Sequence, residues 1–232
     1  MVRSYVVTGA TSKVGAATYA LLRRQGNRVI GVDRRHSDVN VDLGTAKGRR
    51  DGACTVTDLS MGQIDAVITC GHHGLPSLSS ISYNFFGVKD FIAGVLPVLI
   101  SSAAPSVVIT SSISSLLPNS PVLVEAMLFA GEKESLAIAN NLCDEGDARA
   151  TLISPSTKQA LNRWVRRESI NPIWTQAGMT LNAVAPGEEQ SPTEVASLLV
   201  WLASEENRDT TGQIIFIDGG LDAKLRGDDI WN

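Results

Sequence analysis

A chain of 232 residues, 44% hydrophobic and 19% charged, is long and apolar enough to bury the core of one α/β domain and needs no second one. Its net charge of −4, with basic residues paired only at Arg34-Arg35, Arg49-Arg50 and Arg166-Arg167, excludes the basic face that a nucleic-acid partner requires. No apolar run approaches the roughly 18 residues of a membrane span, and Cys54, Cys70 and Cys143 are odd in number without metal-like spacing. Reduced thiols, no metal, no signal segment and a cytoplasmic location are the expectation.

In chain order, Val/Ile-rich runs at Ser4-Thr8, Arg28-Val32, Val39-Val41, Asp65-Cys70, Ser106-Thr110, Thr180-Ala185 and Ile214-Ile217 read as strands, with helical patterns between them. Strands that are apolar on both faces and separated by helices imply a parallel sheet covered on both sides by right-handed crossovers. The expected fold is a single doubly wound, Rossmann-like α/β domain over residues 1–232. Trp164, Trp174 and Trp201 fit helix faces packed on that sheet.

The first strand runs into Thr8-Gly9-Ala10-Thr11-Ser12-Lys13-Val14-Gly15 and a helix from Ala16 to Gln25. A glycine-rich strand-to-helix turn lets backbone amides and the helix dipole hold a pyrophosphate. Asp33, 18 residues beyond Gly15, ends the second strand, where a carboxylate can accept from ribose hydroxyls and repel a 2′-phosphate. NAD is therefore expected over NADP, although Arg34 or Arg35 offers a guanidinium to a 2′-phosphate. An ordinary strand-end turn is the other reading of Asp33.

With these motifs the chain resembles the short-chain dehydrogenase/reductase family along its whole length. The resemblance is carried by the Thr8-to-Gly15 turn, Asp42-Leu43, Cys70-Gly71, Asn84-Phe85-Phe86-Gly87, Ser111-Ser112-Ile113-Ser114, Lys158, Asn182 to Gly187 and Ile217-Asp218-Gly219-Gly220. Within the family it looks most like the bacterial 3α-hydroxysteroid dehydrogenase/carbonyl reductase group. The resemblance implies a cofactor site of Gly9, Thr11, Lys13, Val14, Gly15, Asp33, Asp42, Leu43, Cys70, Gly71, Lys158, Pro186 and Gly187. It implies a catalytic set in which Ser111 holds the substrate oxygen, Lys158 holds the nicotinamide ribose and tunes a tyrosine, and Asn84 positions a relay water.

Four residues before Lys158, where that tyrosine belongs, the chain has Ser154. An aliphatic hydroxyl is a far weaker acid than a phenol and much shorter. Ser154 followed by Pro155 also reads as a helix N-cap, and a Ser154/Lys158 nucleophilic pair is a third alternative. His72 and His73, after the fourth strand, are candidate proton carriers or plain loop residues. Tyr83, beside Asn84, is either core or a substitute acid.

Lys13 replaces a family glycine, where its side chain either meets the pyrophosphate as a counter-ion or fills its space, so that dinucleotide binding or none is open. After Gly187 only Glu188-Glu189-Gln190 precedes a capping box, Ser191 to Glu194, and a helix over Val195–Ala203, so the segment that normally covers the substrate is short. Glu188 and Glu189 read as a base at the open mouth or as acidic residues facing a helix dipole. The stretch between Ser111 and Ser154 is long. About residues 117–150 it forms a helical insertion whose apolar face is Val122, Leu123, Met127, Leu128, Leu136, Ile138 and Leu142, packed on its own subunit or on a second copy.

Three functions follow as alternatives. The first is a repurposed pocket that isomerises or cyclises a carbonyl-containing small molecule by proton transfer, steroid-like or polyketide-like. The second is an NAD(H)-dependent hydroxysteroid dehydrogenase or carbonyl reductase with an unusual acid. The third is a non-catalytic binding or scaffold protein. A homodimer or homotetramer is expected, with no nucleic-acid or membrane partner.

Overall fold

The structure, a computed structural model, describes residues 2–71 and 78–228. Its elements follow as β1 (Ser4–Thr8), α1 (Lys13–Arg24), β2 (Arg28–Asp33), β3 (Val39–Asn40), α2 (Ala46–Ser60) and β4 (Ala66–Thr69). Next come α3 (Leu78–Ile81), a π-helical turn (Ser82–Gly87), α4 (Val88–Leu99), β5 (Ser106–Thr110) and a 3-10 turn (Ile113–Leu116). Then α5 (Pro121–Glu125), a second π turn (Ala126–Ala130), α6 (Glu132–Asp144), α7 (Asp147–Ala150), α8 (Ile153–Glu168) and α9 (Pro172–Gln176) lead to β6 (Thr180–Pro186). The chain continues through α10 (Pro192–Leu202), β7 (Ile214–Ile217) and α11 (Leu221–Arg226). All seven strands pair in parallel in the order β3-β2-β1-β4-β5-β6-β7.

The pleat sorts the strand residues between two apolar layers. Val6 of β1 and Val107 and Ile109 of β5 point into a core shared with Val56 of α2, Phe91 of α4 and Leu161 and Trp164 of α8. Tyr5, Val7 and Val108 point to the opposite face, against Leu22 of α1 and Leu199 of α10. Phe91 is fully buried, by itself a contribution of about 2–3 kcal/mol relative to exposure. Trp164 and Trp174 meet edge to face with centroids 6.3 Å apart. Trp201, expected on a buried face, is 45% exposed, because Val195, Leu199 and Leu202 take the inward stripe of α10.

Two helix starts and one cap bond differ from the sequence expectation. α1 begins at Lys13 rather than Ala16, since Ser12 is its N-cap and accepts from the Gly15 amide. α8 begins at Ile153, not after Ser154, with Leu152 as the cap residue and Ser156 N bonded to Leu152 O at 3.0 Å. Pro155 then sits in the first turn, where its missing N–H costs nothing, and Ser154 is a helical residue rather than a cap. Ser191 is the N-cap of α10, but its hydroxyl pairs with Thr193 Oγ1 at 2.8 Å and makes no cap bond.

The segment before α8 packs on its own subunit. Leu123, Met127 and Leu142 are buried in the core that holds Phe86 and Leu161, with Leu128, Leu136 and Ile138 partly buried against it. Val122 is 65% exposed instead, because its neighbours Leu123 and Val124 take the inward positions of α5. No helix among the described residues is long and apolar enough to cross a membrane, and no group of His, Cys, Asp and Glu among them could hold a metal ion. Cys54, Cys70 and Cys143 are free thiols.

Candidate active site

The chain builds β1, β2 and β3 outward in one direction and then returns to place β4 on the other side of β1. A crevice must open beyond the carboxyl ends of β1 and β4, where connections leave in opposite directions. The turn after β1 folds into this crevice. Gly9, at φ +66°, bonds its amide to Val32 O at 2.8 Å, and an added Cβ would stand 2.2 Å from the Gly71 amide nitrogen. A Cβ on Gly15 would lie 2.0 Å from Gly9 O. Backbone therefore packs directly on backbone at both places, and Ser12 locks the arrangement by donating to Cys70 O at 3.2 Å while capping α1. The geometry of a helix start leaves the first-turn amides of Lys13 and Val14 without intrahelical acceptors. The Lys13 side chain is exposed on the cleft wall, where Glu188 also lies, and does not fill the turn.

Asp33 joins the turn to β2. One carboxylate oxygen accepts from Thr11 N at 2.9 Å and Thr11 Oγ1 at 2.7 Å, the other from Arg34 N at 2.7 Å. Arg34 donates its Nε to Asp42 at 3.2 Å and lies over the Tyr83 ring, 5.1 Å from its centroid. Leu43 is buried behind Asp42. Tyr83 approaches Gly71 so closely that a Cβ there would meet its hydroxyl at 2.6 Å. Burial, and then the nearby Asp33 carboxylate, push its phenol up to about 12. Tyr83 thus belongs to the Asp33 end of the crevice and is a poor proton donor.

At the other end, a cleft of about 480 Å³ is lined by Val14, Ser112, Ser114, Ser154, Pro186 and Gly187, among others. Ser154, Lys158 and Asn162 follow one another at intervals of four along α8 and so share one face, and that face is laced to the end of β5. Lys158, 1% exposed, donates to Thr110 O at 3.3 Å, and Asn162 Oδ1 accepts from the Ser111 hydroxyl at 2.6 Å. Burial lowers the Lys158 ammonium to about 8. Cys70, also in this wall, is a neutral thiol pushed up by burial to about 11.

The structure brings Ser111, Ser154 and Lys158 to one end of the cleft, which Ser111 lines while its hydroxyl donates to Asn162 Oδ1. Ser112, beside it, also lines the cleft. It caps the 3-10 turn by accepting from Ser114 N at 3.1 Å, which leaves its O–H for a ligand. The Ser112-x-Ser114 spacing of a serine turn was the sequence signal for it, and helical periodicity from Lys158 was the signal for Asn162. Asn84, 2% exposed, lies inside the first π turn, where the regular ladder is broken. His72 and His73 lie outside the described residues.

The sequence pattern of the NAD dependent epimerase/dehydratase family matches residues 5–112, the part that holds the glycine turn, Asp33, Gly71 and Ser111. The 3-alpha-hydroxysteroid dehydrogenase/carbonyl reductase of Comamonas testosteroni is 28% identical, over 95% of this chain and 97% of its own length. A 3-oxoacyl-[acyl-carrier-protein] reductase of Thermotoga maritima is 24% identical over 93% of this chain and 96% of its own. Among solved structures, the 3-alpha-hydroxysteroid dehydrogenase of Pseudomonas sp. B-0831 complexed with NADH superposes with a TM-score of 0.88 at 32% identity, covering 96% of this chain and 98% of that one. Sharing nearly its full length and its fold with such relatives, the chain belongs to the short-chain dehydrogenase/reductase family.

Proposed function

We propose that the protein is an NAD(H)-dependent oxidoreductase of the hydroxysteroid dehydrogenase/carbonyl reductase kind, acting on a small carbonyl compound or its alcohol. The observation that carries this reading is the Gly9–Gly71–Gly15 cradle with Asp33 at its edge, opening into a cleft with Ser112 and Ser154 above the buried Lys158. The Pseudomonas relative, whose structure holds NADH, supports it.

The first-turn amides of α1 would receive the pyrophosphate, with Lys13 adding a mobile positive charge beside it. Asp33 is placed to exchange its bonds from Thr11 for ribose hydroxyls. Arg34 is already paired with Asp42, which favours NAD(H) over a 2′-phosphorylated cofactor. When bound, the nicotinamide supplies or accepts the hydride. Ser112 then holds the substrate oxygen, while Lys158 stabilises negative charge beside it and Asn84 keeps the π turn in place. With Ser154 where a phenol would serve, the proton comes from water entering the mouth, since only residues 187–191 separate β6 from α10. Proton transfer is the slow step.

The calorimetric experiment titrates NADH, NADPH and their oxidised forms into the protein. Micromolar NADH binding, weaker by about tenfold or more for NADPH, is expected, with Lys13→Gly changing affinity by only a fewfold because Lys13 lies on the wall. Absence of binding by the native protein, restored in Lys13→Gly, would eliminate the redox reading.

A second reading, non-redox isomerisation or cyclisation of a carbonyl compound, is favoured by one feature: the described lining of the cleft offers serine hydroxyls, with Lys158 lowered to about 8 by burial behind them, but no phenol. It requires substrate turnover without any dinucleotide, which the same preparation stripped of nucleotide tests directly.

A further inference from the structure

Among the described residues, Arg49 is the most heavily bonded side chain outside the cleft. It lies in the first turns of α2 with 4% of its side chain exposed. Its Nε donates to Leu43 O at 2.9 Å, and one terminal nitrogen reaches Gly44 O at 3.2 Å and Ser82 O at 2.9 Å. Glu132, the first residue of α6, grips both terminal nitrogens at 2.6 and 2.7 Å, and Asp90 of α4 accepts at 3.0 Å. Burial alone would raise the Glu132 carboxyl, yet the bonds from Arg49 and Ser82 hold it below the usual carboxylate range. A planar guanidinium can satisfy such a fan of acceptors and a lysine cannot.

The acceptors are not scattered. Leu43 and Gly44 immediately follow Asp42, and Ser82 immediately precedes Tyr83 and Asn84. Asp42 and Tyr83 are the two groups that hold Arg34. Glycines let the backbones meet there: a Cβ on Gly48 would stand 2.0 Å from Asp42 O, and one on Gly87 2.9 Å from Leu43 O. One buried cation therefore sets the separation of the two walls at the Asp33 end of the crevice, and it is itself oriented by a carboxylate from the helical segment that precedes α8.

We propose that Arg49, oriented by Glu132, is a positioning residue that presets the adenosine end of the cleft, so that dinucleotide affinity depends on the docking of α6. The proposal rests on the dinucleotide reading above, and its test separates the two. ADP-ribose and nicotinamide mononucleotide are titrated into the native protein, Glu132→Gln, Glu132→Asp and Arg49→Lys, and amide exchange is followed at residues 43–45 and 83–87. Glu132→Gln keeps the shape but removes the charge. It should weaken ADP-ribose by about tenfold, leave nicotinamide mononucleotide unchanged and speed exchange at both segments, while Glu132→Asp restores much of the affinity. Arg49→Lys should resemble Glu132→Gln. Equal weakening of both fragments, or unaltered exchange at 43–45 in Glu132→Gln, overturns the positioning role. Failure of the native protein to bind ADP-ribose overturns the dinucleotide reading instead, and the exchange data then decide whether Arg49 and Glu132 set the walls.

Discussion

Ser154→Tyr is expected to raise NADH-dependent carbonyl reduction by about a hundred- to ten-thousandfold, the usual worth of a positioned general acid. Ser154 lies in the first turn of α8, half-buried on the cleft wall, one helical turn before Lys158. A tyrosine there projects its ring into open space instead of into packed core. Its phenol reaches toward the oxygen held by Ser112, and the ammonium beside it favours the phenolate. Single-turnover reduction of a panel of ketones and aldehydes under saturating NADH measures the change, because the chemical step is then isolated from release. A variant that folds, binds NADH as tightly as the parent and remains equally inert would show that hydride transfer does not take place in this cleft.

Lys158→Met is expected to stabilise the protein at neutral pH while removing activity. Lys158 is buried with the Thr110 carbonyl as its acceptor, and its ammonium is lowered from 10.5 to about 8 by that burial. The folded protein therefore binds fewer protons at this site than the unfolded chain between about pH 8 and pH 10.5, and its stability rises with pH across that window. Below pH 8 both states carry the charge and the full cost of burying it, on the order of 3 kcal/mol, is present. Methionine has a similar length and no charge to desolvate. Denaturant unfolding of parent and variant at steps from pH 7 to pH 10.5 should show the largest difference at the low end and convergence at the high end. A difference independent of pH would mean that Lys158 keeps its ordinary proton affinity and is not the poised group the cleft requires. A stabilising substitution at a residue needed for chemistry is a trade common at functional sites.

The parallel sheet was legible because its evidence is local and repeated. The central strands β1, β4, β5 and β6 are buried along nearly their whole length, the Val/Ile runs of β1, β5 and the partly buried edge strand β7 coincide with the strands observed, and glycine-rich turns follow from the backbone they demand. The cradle was legible for the same reason: Gly9 and Gly15 admit no Cβ, and Asp33 sits where β2 must end. Ser154 in place of a phenol was visible from its spacing to Lys158 alone.

What tertiary structure alone decided concerns where side chains turn and which distant segments meet. Ser111 and Ser112 are adjacent hydroxyls in the sequence and both line the cleft, and only the packing of α8 against β5 commits the proton of the first to Asn162 while the second caps the 3-10 turn. Pro155 looked like a helix boundary, but Leu152 is the cap residue and α8 starts at Ile153, ahead of Ser154. Arg49 read only as half of an Arg-Arg pair, because nothing local shows that Leu43, Ser82, Asp90 and Glu132 converge on one member of it. Periodicity and turn chemistry act over a few residues and are written in the order of the chain, whereas a hydrogen-bond hub or the choice between two neighbouring hydroxyls depends on contacts that exist only once the layers have closed.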